Sequence, residues 1–132
     1  MLQGRCDYVD NGISAVDLVR ESIENCRNEK KLGGAGPHYA LILLDYSMPK
    51  MDGPTTAQKI RELYVKEKET TNFEPNQPHI VCLTAFTEKI FETKARESGM
   101  NEFVSKPITN ANLKQILRET RLISLSESLN DL

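Results

Sequence analysis

The feature of this sequence that most constrains its fold is an alternation of short apolar runs with longer stretches of helical periodicity. The apolar runs cover residues 40–44, 80–83 and 103–104. Continuous apolar runs such as the first two are typical of parallel strands that helices cover on both faces. Strands that alternate with helices predict a parallel sheet with right-handed crossovers, which is an α/β architecture. We expect Ala40–Leu44, which leads to Asp45, to be a central strand of that sheet.

The residues that precede this run predict one more strand and one helix. Arg5–Val9 is a short strand candidate, and Asn11 and Gly12 form a turn after it. The apolar positions of the next stretch recur at helical spacing and are Val16, Val19, Ile23 and Cys26. The segment Arg27–Pro37 mixes charged residues with glycines, and it therefore predicts a solvated loop.

Three more amphipathic helices follow the predicted strands. The first opens at Gly53 and Pro54, because proline suits the first position of a helix, and it frays near Lys68. The second is capped by Thr87 and closed by Gly99, and the third begins at Thr109. Their apolar faces are Ala57, Ile60 and Tyr64 in the first, Ile90, Phe91 and Ala95 in the second, and Leu113, Ile116 and Leu117 in the third.

Size and charge exclude several classes of protein. A chain of 132 residues suits a single compact domain. Its net charge of -2 and pI of about 5.7 lack the basic footprint of a nucleic-acid-binding protein. No apolar run reaches the roughly 18 residues that cross a bilayer, and no signal-peptide pattern is present, so we expect a cytoplasmic protein. Three cysteines without C-x-x-C spacing and two histidines predict neither a disulfide framework nor a zinc site.

Three polar residues follow the predicted strands, namely Asp45, Thr84 and Lys106. Ligands of open parallel sheets bind outside the carboxyl ends of the strands, so we expect these side chains to converge. A carboxylate, a hydroxyl and an ammonium group supply a nucleophile, a hydrogen-bond donor and a charge partner for a phosphoryl group. Taken singly, Asp45 would be a turn or cap residue and Lys106 a solvated charge. The combination is what predicts a phosphoryl site.

Three segments around these residues carry a resemblance to a known family. LLDYSMPKMDG at 43–53, LTA at 83–85 and FVSKP at 103–107 closely resemble the response-regulator receiver domain of two-component phosphorelay signalling. The resemblance covers residues 5–120 and implies a flavodoxin-like, doubly wound parallel sheet. Ser105 to Ile108 and the polar insert after Lys66 look like receivers fused to eukaryotic hybrid histidine kinases. Residues 121–132 continue a weak apolar periodicity and are expected to form a C-terminal helix extension or tail.

The resemblance implies roles for individual residues. Asp45 resembles the aspartate that accepts a phosphoryl group from a phosphohistidine, and Lys106 resembles the lysine that pairs with the phosphate. Thr84 resembles the switch hydroxyl, Ala85 keeps the approach to it open, and Phe103 resembles the aromatic switch residue. The expected donor is a histidine kinase or a histidine phosphotransfer domain. The Lys106–Pro107 bond resembles a cis peptide of the family.

The N-terminal region departs from the family pattern. The family has a first strand ending in adjacent acidic residues, followed by a first helix, and neither is present before the predicted strand at Cys6. This leads to the expectation of an N-terminally truncated receiver, either a fragment or an incomplete gene model. The remaining metal ligands would be Asp45 and the backbone carbonyl of Ser47, so Mg²⁺ binding should be weak. Asp7 and Asp10 are poor replacements for the acidic pair, because they lie at and after an edge strand.

Two other functions remain open from the sequence. A phosphorylation-independent pseudo-receiver is favoured by the missing acidic pair and opposed by the retention of Asp45, Thr84 and Lys106. A haloacid-dehalogenase-like phosphohydrolase also uses an aspartate at a strand end, but it normally has a second acid two residues later, where this chain has Ser47. The interpretation as a receiver domain predicts a signalling module and not a turnover enzyme.

Overall fold

The computed structural model describes residues 6–31 and 39–120. Three parallel strands and four helices alternate along these residues, as the apolar runs predict. The strands are β1 (Leu41–Asp45), β2 (His79–Thr84) and β3 (Glu102–Ser105). The helices are α1 (Gly12–Lys31), α2 (Gly53–Thr71), α3 (Lys89–Glu97) and α4 (Asn110–Glu119). None of the helices in the described ranges is long and apolar enough to cross a membrane.

The order of the sheet is β1-β2-β3, so β2 is the central strand. Ile80, Val81 and Cys82 of β2 are completely buried. The expectation that Ala40–Leu44 is central is wrong for the described sheet, because β1 pairs only with β2 and lies at an edge. Leu43 of β1 is accordingly 42% exposed, although it belongs to a continuous apolar run. Local sequence indicates that a strand is apolar, whereas its position in the sheet depends on which partners pair with it.

The main core lies between the sheet and the pair α1 and α2. The periodicity of α1 is confirmed, since Val16, Val19, Ile23 and Cys26 are all buried. Val16, Val19 and Ile23 pack with the buried face of α2, and Leu44 and Ile80 join the same cluster from the sheet. The face of α2 is the one predicted, namely Ala57, Ile60 and Tyr64. Two amphipathic faces and one sheet face therefore form one continuous apolar cluster.

One predicted strand and two predicted helix boundaries are wrong. Residues 6–9 form no strand, because no neighbouring strand among the described residues offers them a ladder. The predicted loop Arg27–Pro37 is helical as far as Lys31, and residues 32–38 lie outside the described residues. Helix α2 does not fray near Lys68 but continues to Thr71, where Asn72 takes up a left-handed conformation with φ 58°. Asparagine tolerates this conformation better than most residues, so it ends a helix readily.

The last two helices follow the sequence more closely. Gly99 closes α3 with φ 104°, and Thr109 caps α4 by accepting a hydrogen bond from the backbone N–H of Asn112. The cap of α3 is Glu88 and not Thr87, and Ile90 is 72% exposed, so its place on an apolar face does not bring it into the core. The predicted extension at 121–132 lies outside the described residues.

Arg61 connects α2 with the two segments that precede β2 and β3 at the amino-terminal end of the sheet. From α2, its guanidinium donates hydrogen bonds to the carbonyl oxygens of Gly99 and Pro78 and to the side-chain oxygens of Gln77 and Asn101, each at 2.9 Å. Asn101 in turn accepts from the backbone N–H of Ile80 at 2.7 Å. The guanidinium therefore holds the entries to β2 and β3 in place relative to α2.

We expect Arg61→Met to lower the free energy of unfolding by roughly 2 to 3 kcal/mol, because it leaves the partly buried carbonyl oxygens of Pro78 and Gly99 without their charged donor. Urea unfolding followed by circular dichroism measures the loss. The matched control is Arg20→Met on α1, where the arginine makes an exposed pair with Asp17 and where a change within about 0.5 kcal/mol is expected. Equal losses in the two variants would contradict the role assigned to Arg61.

Candidate functional site

The carboxyl ends of the three strands bring Asp45 and Lys106 into contact. Asp45 is the last residue of β1, and Lys106 follows the last residue of β3. The Lys106 Nζ atom lies 2.9 Å from Asp45 Oδ1, and the two side chains are 44% and 42% exposed. The predicted convergence of this carboxylate and this ammonium group is therefore confirmed, and both groups are open to a ligand that approaches from solvent.

Thr84 lies between these two residues at the end of the central strand. It is 2% exposed, and its Oγ1 atom accepts a hydrogen bond from the backbone N–H of Phe86 at 2.9 Å. Its carbonyl oxygen accepts from the backbone N–H of Lys106 at 2.8 Å, which extends the β2–β3 ladder one step beyond the strand. The Lys106–Pro107 peptide bond is cis, as the resemblance implies. Ala85 next to Thr84 is exposed and leaves that side of the site open.

The loop that follows Asp45 is held by Asp52 and Gly53. The carboxylate of Asp52 caps α2 by accepting a hydrogen bond from the backbone N–H of Thr55 at 2.8 Å. Burial acts to raise the pKa of Asp52, but the hydrogen bonds from Thr55, together with the charge of Lys94, outweigh it and leave the pKa below its usual value. Gly53 donates its backbone N–H to the carbonyl oxygen of Tyr46 at 2.8 Å, which closes the loop.

An aromatic cluster beside the site was not predicted from the sequence. The ring of Tyr46 meets Phe86 and Phe91 edge to face, with centroids 5.8 and 5.4 Å apart, while Phe86 and Phe91 stack at 4.4 Å. Burial, followed by the charge of Asp52, raises the pKa of Tyr46. The sequence did contain one signal for this cluster. Tyr46 comes one residue after Asp45, and Phe86 comes two residues after Thr84, so both rings follow strand ends at the same edge of the sheet.

Phe103 is partly buried on β3 and packs against the main core. Its neighbour in the parallel register is Cys82, which is completely buried. Burial, followed by the charge of Asp45, raises the pKa of the Cys82 thiol to about 11, so the thiol stays protonated near neutral pH. Cys82 therefore acts as a small apolar core residue, as predicted, and Phe103 lies one strand away from it.

The described residues supply few ligands for a metal ion. Mg²⁺ prefers six oxygen ligands and commonly uses one or two carboxylates together with water and phosphate. Asp45 and the backbone carbonyl of Ser47 are oxygen donors of the right kind, and Ser47 is exposed. Within 6–31 and 39–120, however, no three acidic, histidine or cysteine side chains group in a way that could hold a metal. Asp7 accepts a hydrogen bond from the Tyr39 hydroxyl, and Asp10 accepts one from Asn11.

Comparisons with known proteins identify the fold and the family. The profile of the response regulator receiver domain matches residues 8–118. The chain is 36% identical over 108 residues to the osmosensing histidine protein kinase SLN1 of Saccharomyces cerevisiae, covering 82% of this chain and 8% of the relative. It is 31% identical over 130 residues to hybrid signal transduction histidine kinase L of Dictyostelium discoideum, covering 89% of this chain and 7% of the relative. The chain thus spans less than a tenth of the length of these two kinases.

Solved structures agree with this result. The receiver domain of a sensor histidine kinase from Pseudomonas aeruginosa, which has a magnesium ion in its active site cleft, matches with a TM-score of 0.61 and 25% identity over 87% of this chain and 75% of that one. The receiver domain of the histidine kinase CKI1 from Arabidopsis thaliana, complexed with Mg²⁺ and BeF₃⁻, matches in fold with a TM-score of 0.65 at 23% identity, over 86% of this chain and 69% of that one. This chain belongs to the response regulator receiver domain family and is homologous to the receivers of hybrid histidine kinases.

The geometry at Gly53 generates a prediction about the site. A Cβ atom at this position would lie 2.3 Å from the carbonyl oxygen of Asp45 and 2.9 Å from the Cα atom of Tyr46. Both are backbone atoms of the loop that carries the carboxylate. We expect Gly53→Ala to cost about 1 to 3 kcal/mol of stability and to shift the backbone amide resonances of Asp45 and Tyr46. Chemical unfolding and two-dimensional NMR measure the two effects.

The matched control is Gln58→Ala, an exposed position on the same helix, where we expect a change within about 0.5 kcal/mol and unshifted Asp45 resonances. If Gly53→Ala behaved like the control, the close packing of α2 against the end of β1 would be refuted.

Proposed function

We propose that this chain is a phosphoacceptor in a two-component phosphorelay and that Asp45 takes a phosphoryl group from a phosphohistidine. The observation that supports this most strongly is the 2.9 Å contact between Lys106 Nζ and Asp45 Oδ1 at the exposed carboxyl end of the sheet. The proposed donor is a histidine kinase or a histidine phosphotransfer domain, and no nucleic acid takes part. The receiver unit comprises residues 5–120, with 121–132 as an extension.

In the proposed reaction, a carboxylate oxygen of Asp45 forms a bond to phosphorus while the phosphorus–nitrogen bond of the phosphohistidine breaks. The electron pair of that bond stays on the imidazole nitrogen, which takes up a proton, and Asp45 becomes an acyl phosphate. The ammonium group of Lys106 lies where it would pair with the phosphoryl oxygens, and such charge-assisted contacts are among the stronger hydrogen bonds. The hydroxyl of Thr84 is the second donor proposed for those oxygens.

A bound Mg²⁺ would neutralise part of the charge on the transferred phosphoryl group. The donors that this chain offers it are the carboxylate of Asp45 and the carbonyl oxygen of Ser47, which are too few for tight binding unless water and phosphate complete the shell. We therefore propose a weak magnesium site, with Lys106 as the main positive charge contributed by the described residues.

Phosphorylation is proposed to act through Thr84 and Phe103. A phosphoryl group adds about 1.5 to 2 negative charges and three acceptor oxygens, which favours rotation of the Thr84 hydroxyl toward it. Thr84 is buried, so its movement vacates packed space, and Phe103 on the neighbouring strand is the side chain proposed to fill it. The result is a shift between two pre-existing states of the surface formed by α3, β3 and α4.

Intact-mass spectrometry after treatment with acetyl phosphate and Mg²⁺ tests the acceptor role. We expect one phosphate adduct on the wild-type chain and none on Asp45→Asn. The matched control is Asp52→Asn, which keeps a side chain able to cap α2 and should therefore keep the adduct. Lys106→Met should form the adduct at least about tenfold more slowly, which corresponds to the loss of about 1.4 kcal/mol of charge-assisted stabilisation.

Each other outcome would contradict the proposal in its own way. A folded chain without an adduct would favour the phosphorylation-independent pseudo-receiver. Continuous release of phosphate from an aryl phosphate would instead indicate a phosphohydrolase of the haloacid-dehalogenase type. An adduct that persists in Asp45→Asn would place the acceptor on another residue.

The switch has a separate test. On phosphorylation we expect the ring resonances of Phe103 to shift in NMR spectra, while those of Phe73, which lies beyond the carboxyl end of α2, serve as the reference. In Thr84→Ala the adduct should still form, but the Phe103 shift should be lost, because no hydroxyl couples the phosphate to the ring. A Phe103 shift that persists in Thr84→Ala would rule out the coupling.

A further inference from the structure

The sheet has a second face, opposite to the main core, and this face is exposed over β1. Side chains alternate between the two faces of a strand, so Leu43 of β1 and its register partner Val81 of β2 both lie on the second face. Val81 is completely buried, whereas Leu43 is 42% exposed. Because neighbouring strands are only about 5 Å apart, the described residues stop covering this face between β2 and β1.

Helix α4 covers the buried part of the second face. Helices α1, α2 and α3 all contribute buried residues to the main core, whereas the buried Ile116 and Leu117 of α4 lie outside that cluster. Since α4 follows β3 and packs back onto the sheet, it runs antiparallel to the strands. The chain therefore leaves α4 near the amino-terminal end of the sheet, beside the exposed part of the same face.

The sequence after α4 contains a helix start and an apolar stripe. Residues 121–132 follow the last described residue, Thr120. Ser124 and Glu127 have the spacing of a capping box, in which the serine directly precedes the first residue of a helix. Three leucines share one face of a helix that begins after Ser124, namely Leu125, Leu129 and Leu132.

A simple continuation of α4 would not bury these leucines. At 100° per residue, their stripe would lie roughly 140° around the helix axis from Ile116 and Leu117. A break between α4 and Ser124 removes this conflict. Antiparallel helices are commonly joined by two to five residues, which is the length of the segment 121–123 with its flanking caps.

The dimensions of the exposed strip fit such a helix. Packed helices lie about 8 to 10 Å apart, which is about two strand spacings, so a helix beside α4 would lie over β1. Residues 125–132 would form a helix of about 12 Å, and the five residues of β1 extend for about 16 Å.

We propose that residues 124–132 fold back beside α4 and pack Leu125, Leu129 and Leu132 on the exposed side chains of Leu41 and Leu43. The contact is intramolecular and closes only a short loop, so it has an entropic advantage over the binding of a separate chain. It also covers an apolar edge strand, which would otherwise be a template for association. The proposal is independent of phosphorylation at Asp45.

Methyl NMR of the whole chain with labelled leucine tests the contact. We expect nuclear Overhauser cross-peaks between the methyl groups of Leu43 and those of Leu125 or Leu129, and they should persist on dilution. Absence of these cross-peaks would overturn the proposal. Isotope-filtered spectra of a mixture of labelled and unlabelled chains would also overturn it if Leu43 contacted the leucines of a second copy instead.

Amide hydrogen exchange supplies a second readout. In Leu43→Lys we expect exchange within residues 125–132 to become at least about tenfold faster, because the helix loses an apolar partner. The matched control is Val65→Lys, because Val65 is a 53% exposed apolar residue on α2, which packs on the other face. Its exchange in 125–132 should equal that of the wild type. Equal exchange in Leu43→Lys and the wild type would refute the contact.

A reciprocal variant guards against a folding defect in Leu43→Lys. Leu129→Ser changes no described residue, so circular dichroism should show the same helix content in α1 to α4. We expect it to shift the methyl resonances of Leu41 and Leu43 and to leave those of Leu63 on α2 in place. Unshifted Leu43 resonances in Leu129→Ser would contradict the proposal.

Discussion

The parallel register of β2 with its two neighbours is the constraint on which the rest of the structure depends. Asp45 lies opposite Leu83, and Thr84 lies opposite Ser105. These pairings bring together Asp45, Thr84 and Lys106, which are separated by 39 and 22 positions in the sequence, so that an acid, a hydroxyl and an ammonium group share one edge. Backbone hydrogen bonds from Tyr46 to Leu83 and from Lys106 to Thr84 continue both ladders past the strand ends. Because the side-chain period of a strand is 2, a slip of one residue would turn the polar ends toward the wrong faces.

The contact between Asp45 and Lys106 contributes little to folding stability, and the proposed function assigns it a role in reactivity instead. Both side chains are more than two-fifths exposed, and exposed ion pairs contribute about 0 to 1 kcal/mol to stability. The same exposure leaves the carboxylate accessible to a donor group and keeps an ammonium group beside it. Stability comes from the apolar cluster around Ile60 and Ile80, two residues that are completely buried. The two tasks are therefore assigned to different residues of the same fold.

The alternation of apolar runs and helical periodicity was enough to predict every strand and helix of the described residues except their exact ends and the placement of β1. It also predicted a strand at Arg5–Val9 that residues 6–9 do not form. Asp45, Thr84 and Lys106 could be predicted as a group because polar residues at the ends of parallel strands share one edge. The edge position of β1 could not, because strand order depends on pairing between distant segments. The helical residues 27–31 were missed because a charged, glycine-containing segment resembles a loop when the packing of the preceding turns is unknown. The cluster of Tyr46, Phe86 and Phe91 was missed because it joins two loops and a helix that have no periodicity in common.

The two ends of the sheet use different chemistry on the same two strands. At the amino-terminal end, Arg61 and Asn101 fix the entries to β2 and β3 through short hydrogen bonds, most of them to backbone groups. At the same end, the Nε2 atom of His79 lies 3.5 Å from Oε2 of Glu102. At the carboxyl-terminal end, the same strands finish at Thr84 and Ser105, next to the Asp45 and Lys106 pair. The parallel ladder between β2 and β3 therefore connects a hydrogen-bonded anchor at one end of the sheet to the candidate site at the other.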